Sequence, residues 1–173
     1  ILKETEKYGF VSFDVFDTLL LRPYVSPVDL FRHMESHFRR PGFAGERIRA
    51  ERTSRSKEFE EVTLDEIYDE IDGRFKDLKD SELLFERQVL LPNPEMKAVF
   101  DEVKKSGKRI LLLSDMYLPS AFLSEVLGKN GFEGYERLYM SCECRKSKHS
   151  GELFSLALKD LGIGPKDVVH IGD

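Results

Sequence analysis

The stretch Phe10-Val11-Ser12-Phe13-Asp14-Val15-Phe16-Asp17-Thr18-Leu19-Leu20 decides the reading of this chain. It opens with a short apolar run, Phe10–Phe13, and the run ends on a carboxylate, Asp14. Three more runs of this kind follow: Ile110–Leu113, Leu138–Met140 and Val168–Ile171. None alternates cleanly, so each reads as a strand buried on both faces, as in a parallel sheet. Amphipathic segments lie between the later runs. Met96, Val99, Phe100 and Val103 recur at helical spacing before Gly107, and Phe122, Leu123, Val126 and Leu127 before Gly131. Leu153, Phe154, Ala157, Leu158 and Leu161 do so before Gly162. Each glycine stands where a helix ends in the left-handed conformation. Strand and helix in this rhythm predict an α/β fold with a doubly wound parallel sheet.

The first interval breaks the rhythm, because residues 23–93 far exceed one crossover helix. Ser26-Pro27 predicts an N-cap followed by proline in the first turn, leading Leu30, Phe31, Met34 and Phe38 along one face. Thr63-Leu64-Asp65-Glu66 predicts a capping box that opens a helix with Leu64, Ile67, Tyr68 and Ile71. A further helix is expected from Ser81 to Leu91. Residues 44–62 are charged, with few apolar positions. The reading is a helical insertion, 23–93, over one end of a sheet built from 1–22 and 94–173.

Composition sets the outer limits. The 173 residues leave room for one domain with an insertion. Hydrophobic residues at 40% and charged residues at 34% describe a globular chain rather than a disordered one. A net charge of −5 argues against a broad nucleic-acid surface. No apolar run approaches a membrane span, and the start shows no signal-peptide pattern. The two cysteines, Cys142 and Cys144, cannot make a disulfide framework, which points to the cytoplasm. The chain starts without Met, so it is expected to be a fragment.

Three strands end in polar groups: Asp14, Ser114 and Gly172-Asp173. Open parallel sheets bind ligands at the carboxyl ends of their strands. If these strands are neighbours, the three side chains converge. Phe13-Asp14-Val15-Phe16-Asp17-Thr18-Leu19 resembles the first motif of the haloacid dehalogenase-like (HAD) hydrolases. Leu111-Leu112-Leu113-Ser114-Asp115 resembles their second motif, Lys148 ahead of Phe154 their third, and Val168-Val169-His170-Ile171-Gly172-Asp173 the start of their fourth. Segment 23–93 falls where that family inserts a helical cap.

The resemblance implies a Mg²⁺-dependent phosphohydrolase acting on a small phosphorylated metabolite. Asp14 would be the nucleophile and form an aspartyl-phosphate. Mg²⁺ would be held by the Asp14 carboxylate, the backbone carbonyl of Phe16, and Asp173. Ser114 would bond a phosphoryl oxygen, and Lys148, preferred to Lys146, would neutralise charge. Thr18, Arg47 and Tyr117 are candidates for holding substrate. The sequence departs from the pattern at one place. Phosphatases of the family carry a second Asp two residues after the nucleophile as general acid, and here that position is Phe16. Asp17 and Asp115 are the candidate replacements. An aromatic there resembles the dehalogenases of the superfamily, whose leaving halide needs no proton and which use no metal. The chain therefore carries two alternatives: a dehalogenase, or a weak or silent module that binds a ligand or partner. Ser-Phe-Asp-Val-Phe-Asp-Thr-Leu-Leu and Ser-Asp-Met-Tyr-Leu-Pro are similar to HAD-like segments beside bacterial glycosyltransferase modules in surface-polysaccharide synthesis. That likeness implies a sugar-phosphate context.

Other features read as structural. Arg47, Arg49, Arg52 and Arg55 fit a solvated helix face with Glu46, Glu51 and Glu58; the alternative is that, if the insertion covers the site, some of them clamp a phosphate or sugar acid. Cys142, Cys144 and His149 fall short of a zinc site. His33 and His37 read as half-buried neighbours one turn apart, and His170 as a core histidine.

Overall fold

The computed structural model describes residues 1–57 and 61–172. A one-turn helix α1 (Leu2–Thr5) leads into strand β1 (Phe10–Asp14). After a coiled loop, β2 (Leu20–Leu21) opens a helical stretch: α2 (Asp29–Phe38), α3 (Phe43–Arg55), α4 (Leu64–Glu70), a 3-10 turn over Gly73–Leu78, and α5 (Lys79–Val89). Strand β3 (Leu91–Pro92) pairs back antiparallel on β2. The chain then runs through α6 (Pro94–Lys105), β4 (Arg109–Ser114), α7 (Ser120–Lys129), β5 (Arg137–Met140), the short α8 (Ser141–Cys144), α9 (Glu152–Leu161) and β6 (Val168–Ile171).

The four main strands form one parallel sheet in the order β5-β4-β1-β6. Side-chain alternation splits each apolar run between two helix layers. Val11, Phe13, Ile110 and Leu112 cluster with Phe100 of α6 and with Phe122 and Val126 of α7. Phe10, Leu111, Leu113 and Tyr139 cluster with Leu153 and Ala157 of α9. With helices on both faces, β1 and most of β4 are wholly buried, which explains runs that do not alternate. Each large side chain buried this way contributes about 1.5–3 kcal/mol. The fold is the doubly wound α/β one that the runs predict.

Strand β6 differs from the expectation. Among the described residues it pairs with β1, and its residues are half-buried or exposed rather than buried on both faces. His170 is exposed, not a core histidine. Its Nδ1 lies 2.8 Å from Ser12 Oγ, and its ring meets Phe154 edge-on at 4.9 Å.

The helical stretch corrects several details. Ser26 does not cap α2, which begins at Asp29; instead the Asp29 carboxylate accepts from the Ser26 N–H at 3.0 Å. The Thr63–Glu66 capping box is present as predicted. α5 starts two residues before the expected Ser81. The charged segment contains a full helix, α3, whose inward face is Phe43, Ala44, Arg47, Ala50 and Ser54. His33 and His37 are exposed, and their rings rest edge-on against Phe85. The stretch meets the rest of the chain over the loops that follow β4 and β5: Leu64 N donates to Tyr117 O at 2.9 Å, and Arg145 grips Glu66.

Candidate active site

Asp14 is the last residue of β1, the strand between β4 and β6. It is 7% exposed. Oδ1 accepts from the Val15 N–H at 2.7 Å, and Oδ2 makes an ion pair with Lys148 Nζ. The loop after Asp14 is coiled, because the N–H groups of Leu19 and Leu20 both donate to Val15 O.

Lys148 comes from the loop between α8 and α9. Its backbone N–H donates to both oxygens of Asp115, at 2.8 and 2.9 Å. Asp115 therefore holds the lysine's backbone, with both carboxylate oxygens engaged by that N–H. Lys146 pairs with Glu152 at 3.1 Å instead. Of the two lysines weighed from the sequence, the structure brings Lys148 onto Asp14.

Ser114 ends β4, one step past Leu113, which is the register partner of Asp14. Its Oγ is buried and bonds to no described residue. A buried hydroxyl without a partner costs free energy unless a ligand satisfies it. On the other side, Gly172 closes in on Asp14: a Cβ there would meet Asp14 Cβ at 3.0 Å and His170 Nε2 at 2.9 Å. Only a glycine lets the end of β6 lie so close. Asp173, the third expected metal ligand, lies outside the described residues. Among the described residues no group of three or more His, Cys, Asp or Glu could hold a metal ion. What is described of the expected donor set, the Asp14 carboxylate and the Phe16 carbonyl, is hard oxygen and fits Mg²⁺ chemically.

Phe16 fills the position of the usual acid. The Arg22 guanidinium lies 4.4 Å from its ring centroid, and the Glu86 carboxylate holds that guanidinium bidentately at 2.9 and 3.1 Å. Burial pushes the Glu86 carboxyl up and Arg22 opposes it. Asp17 has φ +57, a strained setting for a non-glycine residue. With Thr18, Asn93, Met96 and Gly172 it lines an open cleft of about 280 Å³. Thr18 itself is buried, 5% exposed.

Arg47 is neither on a solvated face nor open to a ligand. It is fully buried, bonded to Glu82 through two 2.8 Å contacts and to Glu51 at 3.0 Å. It stacks 4.5 Å from the Phe31 ring centroid and 4.7 Å from that of Tyr117. Tyr68 OH donates to Glu82 at 2.8 Å. Burial pulls the Arg47 guanidinium down, and Glu82, Tyr117 and Glu51 more than offset it, so it stays charged. Burial pushes the Tyr117 hydroxyl well up. Tyr117, a candidate for holding substrate, is thus a buried wall of this charge cluster. Arg49 pairs with Glu46 at 2.6 Å, while Glu58 lies outside the described residues. Cys142 is buried, its thiol pushed up to about 12 chiefly by burial, which makes it a poor metal ligand.

Sequence reasoning missed Arg22, Glu86 and Arg145. Arg22 and Glu86 are 64 positions apart, and nothing in their local spacing joins them. Arg145 carried a signal that passed unread: it directly follows the short apolar and cysteine segment that becomes β5 and α8.

A family model for haloacid dehalogenase-like hydrolases matches residues 10–173. The chain belongs to that family of hydrolases. Solved structures share its fold. A HAD family enzyme from Bacteroides thetaiotaomicron superposes with a TM-score of 0.64 at 16% identity, over 97% of this chain and 85% of its own. An L-2-haloacid dehalogenase from Xanthobacter autotrophicus gives 0.59 at 15%, over 94% and 69%. A protein assigned as a beta-phosphoglucomutase from Thermotoga maritima gives 0.62 at 18%, over 93% and 74%. No curated protein matches the sequence.

Proposed function

We propose that the chain is a phosphohydrolase acting through Asp14 on a small phosphorylated metabolite, with segment 23–93 as a cap. The observation that carries this reading is the Asp14–Lys148 pair at the strand ends, beside the buried, unpartnered hydroxyl of Ser114. One carboxylate oxygen attacks phosphorus, the bond from phosphorus to the leaving oxygen breaks, and an aspartyl-phosphate forms. Water then attacks that phosphorus, releasing inorganic phosphate and restoring the carboxylate. Lys148 offsets the anionic charge of both partners, and Ser114 donates to a phosphoryl oxygen. A Mg²⁺ held by Asp14, the Phe16 carbonyl and Asp173 would supply further charge neutralisation. Phe16 cannot protonate a leaving alkoxide, so good leaving groups depart fastest, and Asp17 is the remaining candidate acid. The likeness to polysaccharide-synthesis segments makes sugar phosphates the first substrates to try. The free cysteines Cys142 and Cys144 suit a reducing cytoplasm. No helix among the described residues is long and apolar enough to cross a membrane. Screening phosphorylated metabolites and an aryl phosphate, with and without Mg²⁺, tests the reading. Mg²⁺-stimulated phosphate release supports it, and no release from any of them overturns it.

One observation favours a second reading. The Arg22-capped Phe16 puts no carboxylate at the position of the usual acid, which suits a halide leaving group. Asp14 would then attack the halogen-bearing carbon of a haloacid. The carbon–halogen bond would break to give an ester on Asp14, and water would hydrolyse that ester. Metal-free halide release from 2-chloropropionate would select this reading over the first.

A further inference from the structure

Arg145 joins the helical segment to the loop that presents Lys148. It directly follows α8 and has φ +53, a conformation that glycine or asparagine usually occupies at a helix end. A strained arginine at such a position persists when its surroundings over-determine it. Its fork grips Glu66 at 2.6 and 2.9 Å, and Nη1 also donates to Glu61 O at 2.5 Å. Glu66 is already fixed, since its carboxylate accepts from Thr63 N at 2.8 Å in the capping box of α4. Glu61 also accepts from Ser141 Oγ, and that oxygen accepts from Met116 N at 3.1 Å. Three residues beyond Arg145, Asp115 holds the Lys148 amide. Three residues of chain reach at most about 10 Å, so Arg145 and Lys148 stay within that distance of each other.

We propose that Arg145 is a positioning residue, gripping Glu66 so that seating of the helical segment sets where the Lys148 ammonium meets Asp14. This rests on the reading of Asp14 and Lys148 as the reacting pair. Among the described contacts, Asp115 holds the core side of the loop and the Arg145–Glu66 fork joins it to the helical side. Withdrawing Glu66 removes that fork, leaves the bond to Glu61 O, and loosens the lysine without touching either reacting group.

Three variants test this. Arg145→Gly removes the grip and relieves the backbone. Arg145→Lys keeps the charge but loses the fork. Glu66→Gln keeps the capping box but loses the charge. The readouts are hydrogen exchange at the Lys148 amide, the split between kcat and KM on p-nitrophenyl phosphate, and the melting temperature. In Arg145→Gly and Glu66→Gln, exchange at Lys148 should speed up ~10-fold, and kcat should fall ~10-fold with KM little changed. Arg145→Lys should recover part of both, and Arg145→Gly should melt no lower than the parent. Unchanged exchange at Lys148 in both grip variants overturns the proposal, as does faster exchange with undiminished kcat. If the parent protein hydrolyses no aryl phosphate, the functional reading fails, and the exchange measurement alone still decides whether Arg145 holds Lys148.

Discussion

The sheet end and the helical segment both bury charge, but they handle it in opposite ways. In the helical segment, Arg47 is matched by Glu82 and Glu51, and Tyr68 completes the cluster, so every charged group has its partners in place. At the sheet end, Asp14 and Lys148 pair, yet the neighbouring Ser114 hydroxyl has no partner among the described residues. A closed cluster like the first fixes how helices pack. An incomplete one is poised for a ligand that brings the missing charge and acceptors. The contrast separates scaffold charge from working charge, and it can be tested by substitution.

The largest expected effect is on the scaffold. Glu82→Ala leaves Arg47 buried without its main partner and should cost ~3–5 kcal/mol in urea unfolding. Replacing both, as Arg47→Met with Glu82→Leu, should recover most of that loss, because apolar pairs of similar volume often stand in for buried ion pairs. A small loss from Glu82→Ala alone would erase the distinction between the two regions. The working charge should respond differently. Lys148→Met should lower aryl phosphate turnover by ~10²–10³ while leaving the unfolding midpoint nearly unchanged. A variant that loses stability and keeps its rate would make Lys148 part of the scaffold.

A finer test concerns Phe16. Phe16→Asp restores a carboxylate where family phosphatases carry one, and such an acid is typically worth ~10²–10⁴ in rate. Here the new carboxylate would sit under the Arg22 guanidinium, which favours its ionised form. The gain on alkyl phosphates should therefore stay below ~10-fold until Arg22 is also replaced, as in Phe16→Asp with Arg22→Met. A full gain from the single substitution would show that Arg22 does not govern this position.

How much of this was legible in the sequence follows from what each region buries. The sheet was legible because Phe10–Phe13 and Ile110–Leu113 are apolar on both faces, and only a doubly covered strand calls for that. The strand-end positions of Asp14 and Ser114 followed from the same runs. Helix α3 resisted reading because its inward face spends an arginine where a leucine would announce itself, and Arg47 looks like a surface residue until Glu82, 35 positions away, folds against it. The Phe16–Arg22–Glu86 stack was hidden for the same reason: its partners meet only through tertiary structure. Strand β6 read as buried because Val168, Val169 and Ile171 are apolar, but periodicity does not tell how much of a strand its neighbours cover, and these residues are half-buried among the described residues.

The smallest expected effect is the pH dependence. Arg145 holds the Glu66 carboxyl down to about 2, and Arg49 does the same for Glu46. Both folded values lie below the ordinary carboxylate value of 4.5. The stability they supply is therefore complete above that value and fades as pH falls from there toward 2. Both pairs are partly exposed to solvent, so each should contribute only ~0.2–1 kcal/mol. Urea unfolding of the parent protein should weaken across that window, and Glu66→Gln should flatten part of the slope. An unaltered slope in Glu66→Gln would mean that Arg145 does not stabilise the ionised carboxylate.

The central claim, that Asp14 forms the covalent intermediate, is tested most directly by rapid acid quench during turnover of an aryl phosphate, followed by peptide mass spectrometry. The account predicts phosphate on the peptide that contains Asp14, and no adduct in an Asp14→Asn variant that still folds. Phosphate on another residue, or an Asp14→Asn protein that turns over at the parent rate, would contradict it.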